Sequence, residues 1–134
     1  MMISSRGRYA LRVMIDLAEH QDGGWIPMKE VAQRQDISLK YLEKIMPLLV
    51  GGRLIEGVHG KGGGYKLTRL PGDYPIGEIL RLTEGDLAPV ACLECGAAQC
   101  KHTADCRTLP MWNELHRLVN DYLNRVTIAD LMKE

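Results

Sequence analysis

Apolar residues recur at helical spacing near the start of the chain. Ala10, Met14 and Leu17 mark one face of a helix between residues 8 and 20. The polar and glycine-containing run 21–24 is a stop signal, so we expect the helix to end there.

Two further apolar faces follow, over residues 28–35 and 38–51. Ser38 suits the N-cap of the second of these helices, because its hydroxyl can accept from a free backbone amide. Two helices joined by a tight turn indicate a helix-turn-helix. Pro47 removes one backbone hydrogen bond within the second helix and crowds the carbonyl of Glu43, which predicts a kink or an early 3-10 ending.

Short apolar runs at 54–59 and 65–68 flank the glycine-rich segment 60–64. This pattern predicts two strands joined in a hairpin, since glycine permits the positive φ angles of tight turns. A hairpin after a helix-turn-helix is the order of elements in a winged helix.

The second half of the chain reads as a helix that ends before Gly85, an irregular segment over about 88–108, and a long helix from Pro110. Apolar side chains on the long helix repeat at intervals of three and four residues, the spacing of a helix–helix seam. We expect the following residues to form a dimer contact: Trp112, Leu115, Val119, Tyr122 and Val126.

These elements predict a mainly α fold with a small β wing. Residues 1–70 would form a winged helix-turn-helix DNA-binding domain. Residues 71–134 would add a linker helix, a cysteine-rich loop and a long C-terminal dimerisation helix. With 46% hydrophobic and 25% charged residues, the composition is that of an ordinary folded protein.

The net charge of zero hides an uneven distribution along the chain. Residues 1–70 hold 11 Lys/Arg against 7 Asp/Glu, whereas residues 71–134 hold 6 against 10. A basic front half favours double-stranded DNA as the partner, because the phosphate backbone attracts clustered cations.

The start of the helix at 38–51 is expected to face the bases. It presents Ser38, Lys40, Tyr41 and Glu43. Lys40 could donate to a guanine edge and Glu43 could accept from a cytosine amino group. Leu39 and Leu42 are expected to face the core.

The hairpin is expected to approach phosphates through its tip. Its cations or protonatable groups are His59, Lys61 and Lys66, and Gly62 and Gly63 would allow a close backbone approach. The alternative is a helical pair that contacts another protein, with a hairpin that serves only as a turn.

All four cysteines lie between residues 92 and 106: Cys92, Cys95, Cys100 and Cys106. A reducing cytosol disfavours structural disulfides, whereas clustered thiolates suit iron or zinc. An iron–sulfur cluster, a zinc site and simple thiol redox chemistry are the three possible readings. A loop histidine such as His102 is more often solvated than a ligand, and Asp105 reads as a loop cap.

Other functions lack support in the sequence. No run approaches the roughly 18 apolar residues of a membrane span, and we expect a cytoplasmic protein without a membrane partner. No catalytic triad, paired carboxylate motif, nucleotide-binding glycine fingerprint or zinc-protease motif occurs, so an enzyme is not expected.

Four segments together resemble the bacterial winged-helix regulators of the IscR, NsrR and CymR type. These segments are Ser5–Ala10, Ile37–Glu43, Gly60–Tyr65 and Thr127–Leu131. The resemblance spans nearly the whole chain. It implies a homodimer whose wings and recognition helices bind a palindromic operator, and it adds Arg6, in the first segment, to the expected DNA contacts.

The same resemblance implies an iron–sulfur cluster held by three loop cysteines, which match Cys92, Cys100 and Cys106. Leu109 stands where a histidine ligand can follow, and Arg8 stands where some relatives carry a ligating carboxylate. Cys95 is then the predicted fourth ligand. The cluster type, [2Fe–2S] or [4Fe–4S], stays open. We hypothesise that a change in the cluster reorders the loop, shifts the long helices and alters operator affinity.

Overall fold

The computed structural model describes residues 2–98 and 100–133. The α-helices there are α1 (Ser5–Glu19), α2 (Met28–Gln35), α3 (Leu39–Gly51), α4 (Ile76–Glu84), α5 (Leu109–Arg125) and α6 (Ile128–Leu131). The strands are β1 (Ile55–Val58) and β2 (Gly64–Leu67), and short 3-10 helices cover Pro71–Asp73 and Ala91–Leu93.

The wing is an antiparallel hairpin in which β1 pairs with β2. Its register runs from Ile55 opposite Leu67 to Val58 opposite Gly64. The hairpin directly follows the α2–α3 pair, so the predicted fold class, mainly helical with a small β wing, is confirmed.

Helix α3 starts where the sequence predicts. The Ser38 hydroxyl accepts from the backbone N–H of Tyr41 at 3.1 Å and caps the helix. Pro47 does not cause an early 3-10 ending, because α3 remains α-helical to Gly51. Burial of Leu49 in the core holds the last turn in place despite the missing backbone bond.

Helix α1 lies at the centre of the molecule. It packs against α2, α3 and β2 on one side and against α4 and α6 on the other. A single hydrophobic cluster therefore joins α1 residues such as Val13 and Leu17 to Ile79 of α4 and Ile128 of α6. The predicted boundary at residue 70 stays a prediction, since the residues on either side of it share this core.

A fully buried carboxylate ties α2 to α1. Asp16 of α1 accepts two hydrogen bonds from the guanidinium of Arg34, at 2.8 and 3.0 Å, and one from the amide of Gln35 at 2.9 Å. The bond to Asp16 raises the pKa of Arg34 above its ordinary value. A buried charge is tolerated only with such partners, so the ion pair fixes how the helix-turn-helix sits on α1.

Among the helices of the described residues, none is long and apolar enough to cross a membrane.

Candidate nucleic-acid interface and cysteine loop

One face of α3 is open to solvent along its whole length. Its exposed residues are Leu39, Lys40, Glu43, Lys44, Pro47, Val50 and Gly51. The opposite face is fully buried at Leu42 and Leu49. The helix is therefore held by one side and presents the other, as a recognition helix must.

Leu39 corrects one expectation. Leu42 is buried as predicted, but Leu39 is 44% exposed, so its predicted core position is wrong. Leu39 lies seven residues before buried Met46 and therefore on the same side of the helix. However, Leu39 is the first residue of α3, where the helix extends past the core. It lies beside exposed Lys40 and adds an apolar side chain to this face.

The start of α1 lies next to α3. Arg6 lines a groove together with Tyr41 and Lys44. The half-buried ring of Tyr41 packs edge-on against Tyr9 of α1, with 5.2 Å between ring centroids. Two predicted DNA-binding residues, Arg6 and Tyr41, are thus brought together, and Lys44 joins them although the sequence analysis did not select it.

The position of Arg6 depends on a residue that the sequence analysis missed. Oε1 of Glu84, the last residue of α4, accepts from Ser4 N at 3.2 Å, Ser4 Oγ at 2.6 Å and Gly7 N at 3.0 Å. A carboxylate at a helix N-terminus stabilises the free N–H groups there. Gly7 is buried, and a Cβ at this position would collide with the carboxylate. The end of α4 therefore anchors the start of α1.

The wing tip is exposed at His59, Lys61 and Gly62. Gly62 has a φ of +80° with open space around its Cα, so nothing within the protein prevents a close approach there. Gly63 is different, because a Cβ would collide with the carbonyl of Val58. The hairpin itself requires glycine at position 63, and its predicted DNA contact stays a prediction.

Strand β2 of the wing also pairs with the segment between α1 and α2. Ile26, in the segment between α1 and α2, exchanges two backbone hydrogen bonds with Tyr65 of β2, at 2.9 and 2.8 Å. Lys66 is half-buried with its ammonium 4.3 Å from the ring centroid of Trp25, so this lysine stabilises the wing by a cation–π contact. Gly64 lies at this junction with a φ of +151°, and a Cβ there would collide with the Ile26 carbonyl.

A groove joins α3 to the wing. Pro47, Val50 and Gly51 line it from α3, and Val58 and His59 line it from the wing. The exposed face of α3 and the wing therefore form one continuous surface.

The four cysteines of the loop line two different cavities. Cys92, Cys100 and Cys106 line one cavity of about 210 Å³, whose wall includes apolar Leu93 and Leu109. All four cysteines are free. Across residues 2–98 and 100–133, no three His, Cys, Asp or Glu side chains gather closely enough to hold a metal ion. Three of the four predicted ligands thus share a cavity without forming a closed metal site.

Cys95 lies apart from this trio. It lines a second cavity together with Arg81, Asp86 and His116, and its backbone N–H donates to Asp86 Oδ2 at 2.5 Å. That bond lowers the pKa of Asp86, with a second contribution from the N–H of Ala88.

The other loop residues take minor positions. His102 and Asp105 are exposed in a turn closed by a 3.2 Å bond from Asp105 N to the His102 carbonyl. The Thr108 hydroxyl, 3.5 Å from Cys106 Sγ, and the nearby backbone amides lower the pKa of the Cys106 thiol. A lower thiol pKa favours the thiolate, the form that binds metal or reacts with oxidants.

Helix α5 carries an apolar stripe that faces solvent. Met111, Leu115, Leu118 and Tyr122 are 53%, 38%, 51% and 57% exposed. Leu115 and Tyr122 belong to the predicted dimer seam.

The other three seam residues lie off this stripe. Trp112 and Val119 are half-buried, and Val126 packs against the core, where its carbonyl accepts from Ile76 N at 2.8 Å. Periodicity alone did not separate the side of α5 that faces the core from the side that faces solvent.

Comparison with known proteins adds independent findings. Residues 3–134 match the family model Rrf2, described as an iron-dependent transcriptional regulator. The transcriptional regulator IscR of Photobacterium profundum is 33% identical over 134 residues, covering all of this chain and 77% of the relative.

Two solved structures are also similar. CymR, the global cysteine regulator of B. subtilis, is 30% identical with a TM-score of 0.80, over 98% of this chain and 95% of that one. An oxidised form of Staphylococcus aureus CymR is 30% identical with a TM-score of 0.77, over 100% and 98% of the two chains.

The glycines of the wing give a test of this geometry. Gly64→Ala should lower the free energy of unfolding by roughly 1–3 kcal/mol, because the new Cβ meets the Ile26 carbonyl at a positive φ. Gly62→Asn is the matched control, since asparagine tolerates positive φ and the space there is open. Urea denaturation measures both variants. Equal stability of the two would contradict the close packing of the wing against Ile26.

Proposed function

The chain belongs to the Rrf2 family of helix-turn-helix transcriptional regulators, which are not enzymes. From that premise we propose that it binds a palindromic DNA operator as a homodimer and that an iron–sulfur cluster controls this binding. The observation that carries the DNA-binding part is the continuous exposed surface from the start of α3 across the groove to the wing tip. Since double-stranded DNA is the proposed partner, we expect the protein to act in the cytoplasm.

Base recognition is assigned to the first turns of α3. Lys40 suits a guanine edge and Glu43 suits a cytosine amino group. Exposed Leu39 adds a group that suits the methyl of thymine. Arg6 and Lys44, which share a groove with Tyr41, suit the phosphates that flank the contacted bases.

Two lysines separate phosphate contact from base contact. Lys61→Ala should weaken binding to operator and unrelated duplex alike. Because a dimer loses one phosphate contact from each of its two wings, the magnitude of the slope of log K against log salt should fall by about 2. Lys40→Ala should cost about 1–3 kcal/mol on the operator and relax the preference at one base pair. Fluorescence anisotropy titrations at several salt concentrations measure both effects.

The control is Lys133→Ala, because Lys133 contacts Glu19 at the opposite end of α1 from Arg6. It should leave affinity and slope unchanged. If Lys40→Ala and Lys61→Ala behave like this control, the protein-contact reading of the helical pair replaces the DNA-binding one.

The homodimer is assigned to the apolar stripe Met111, Leu115, Leu118 and Tyr122 of α5. A second copy is the occupant that suits this stripe, because an operator with two equal half-sites is read by two equal subunits. A two-fold axis that passes beside the stripe would bury the stripe of each subunit against that of the other. Its neighbours on α5, Glu114, Arg117 and Asp121, form exposed ion pairs and suit the rim of such an interface.

Tyr122→Asp should convert the dimer to a monomer, since an unpaired carboxylate would have to lose its water in the interface. Sedimentation velocity measures the change. Glu114→Gln, about two turns away on the rim, should leave the dimer intact. A Tyr122→Asp protein that sediments as the wild type does would rule out the stripe as the dimer contact.

The residues of the first cavity fit an iron–sulfur cluster in the chemistry of their donors. Three thiols open onto one space with apolar walls, and thiolates are the usual ligands of such clusters. We assign Cys92, Cys100 and Cys106 as ligands. The fourth-ligand role predicted for Cys95 would require the loop to turn this thiol away from the cavity that it shares with Arg81 and Asp86. When bound, the cluster would supply a link between loop residues that oxidation or loss of iron can break.

The positions of the thiols suggest how the loop could act on the helices. Cys106 lies three residues before α5, and the loop leaves α4 directly after Glu84. The loop therefore adjoins both the helix that carries the dimer stripe and the carboxylate that anchors the start of α1. Reordering of the loop would move α5 or loosen the Glu84 contacts, and Arg6 would shift with the start of α1.

Thiol redox chemistry without a cluster is the second candidate. All four thiols are free and three are exposed, and the chain is similar to a CymR that was solved in an oxidised form. Exposed thiolates that lie close in sequence can form disulfides when an oxidant accepts their electrons.

Protein purified without oxygen should show visible absorbance with stoichiometric iron and sulfide. Single replacement of Cys92, Cys100 or Cys106 by Ala should abolish the absorbance, because each removes a ligand. Cys95→Ala is the matched control and should retain it. Loss in Cys95→Ala as well would make Cys95 the fourth ligand. Colourless protein that contains zinc, or iron-free thiols that oxidise reversibly, would overturn the cluster and leave the DNA-binding surface unaffected.

A further inference from the structure

Tyr74 is a fully buried residue between the 3-10 helix Pro71–Asp73 and α4. Its hydroxyl donates to the carbonyl of Leu54 at 2.7 Å and accepts from the backbone N–H groups of Thr68 and Arg69, each at 2.9 Å. These three bonds use the one proton and both lone pairs of a phenol.

The bonded backbone groups flank the wing. Leu54 directly precedes β1, and Thr68 directly follows β2. The hydroxyl of Tyr74 therefore closes the open end of the hairpin, opposite the tip that carries Lys61. The carbonyl of buried Leu54 requires a partner, and the same hydroxyl also accepts from two N–H groups on the other side of the hairpin, so it is a structural requirement of the wing base.

The backbone around Tyr74 makes a second connection. Its carbonyl accepts from Ile128 N at 3.1 Å, Pro75 forms a bridge with Thr127, and Ile76 N donates to the Val126 carbonyl. The segment 74–76 is thus paired with the junction between α5 and α6. One residue contacts the wing base through its side chain and the end of α5 through its main chain.

We propose that Tyr74 is a positioning residue for DNA binding, whose hydroxyl sets the wing relative to the C-terminal end of α5. It acts through the wing tip and does not itself contact DNA. A displacement of α5 then reaches the wing through this residue. This inference rests on the proposed role of the wing in DNA binding.

The test variant is Tyr74→Phe, which keeps the ring and removes only the hydroxyl. The amides of Thr68 and Arg69 should exchange hydrogen at least tenfold faster, while amides within α5 keep their protection. Operator affinity should fall roughly tenfold, because the wing no longer holds its position. Lys133→Ala, at the opposite end of α1 from Arg6, should change none of these values.

A double-mutant cycle separates positioning from general destabilisation. If Tyr74 acts through the wing tip, Lys61→Ala should have little further effect on operator affinity in Tyr74→Phe protein, whereas Lys40→Ala should keep its full effect. Additive effects of Tyr74→Phe and Lys61→Ala would overturn the proposal, as would unchanged exchange at Thr68 and Arg69.

A second variant covers the case in which Tyr74→Phe does not fold. The hydroxyl of Thr68 contacts Tyr74 Oη at 3.3 Å, and its one proton is shared between the carbonyls of Arg53 at 2.9 Å and Leu54 at 3.2 Å. Thr68→Val should give a smaller loss of affinity with the same lack of additivity towards Lys61→Ala, and additivity there would overturn the proposal. If Lys61→Ala alone leaves binding unchanged, the wing's role in DNA binding fails, while the hydrogen-exchange result still decides whether Tyr74 holds the wing base.

Discussion

The buried carboxylate of Asp16 is the constraint on which the position of the helix-turn-helix depends. A charge without contact with water must be paired, and Arg34 and Gln35 of α2 supply the donors. Once α2 is fixed on α1, the short turn at 36–38 leaves α3 little freedom, and its apolar face packs into the same core. The exposed face of α3 is therefore a consequence of where α1 holds α2.

Local sequence patterns were sufficient to predict most of the elements of the fold. Periodicity located α2 with its bounds, Gly85 marked the end of α4, Ser38 marked the start of α3, and glycines marked the wing. Periodicity was less informative at the edges of the core, where Leu39 extends past the packed region and Val126 turns inward. Apolar residues that repeat every three or four positions predict which side chains share one face of a helix. They do not predict whether that face packs against the core, against another helix or faces solvent.

Contacts between distant segments could not be read from the sequence. Glu84 and Ser4 are 80 residues apart, and no local signal joins them. The structure explains the glycine at position 7 afterwards, because a larger residue would collide with the carboxylate. The same holds for the loop. The spacing of the cysteines grouped all four thiols, whereas the path of the loop sends Cys95 to a different cavity from the other three. Ligand spacing constrains which residues can meet, and the backbone between them decides which do.

The attachment of the wing along Ile26 and Tyr65 has a consequence for the kinetics of recognition. A free hairpin would lose conformational entropy on the operator and reduce the affinity by that amount. Here the entropy is lost when the chain folds, so the wing already holds one shape before any DNA binds. For the DNA contact proposed for the wing, association should then be limited by diffusion and orientation rather than by loop ordering, and differences between operators should appear mainly in how long each complex lasts.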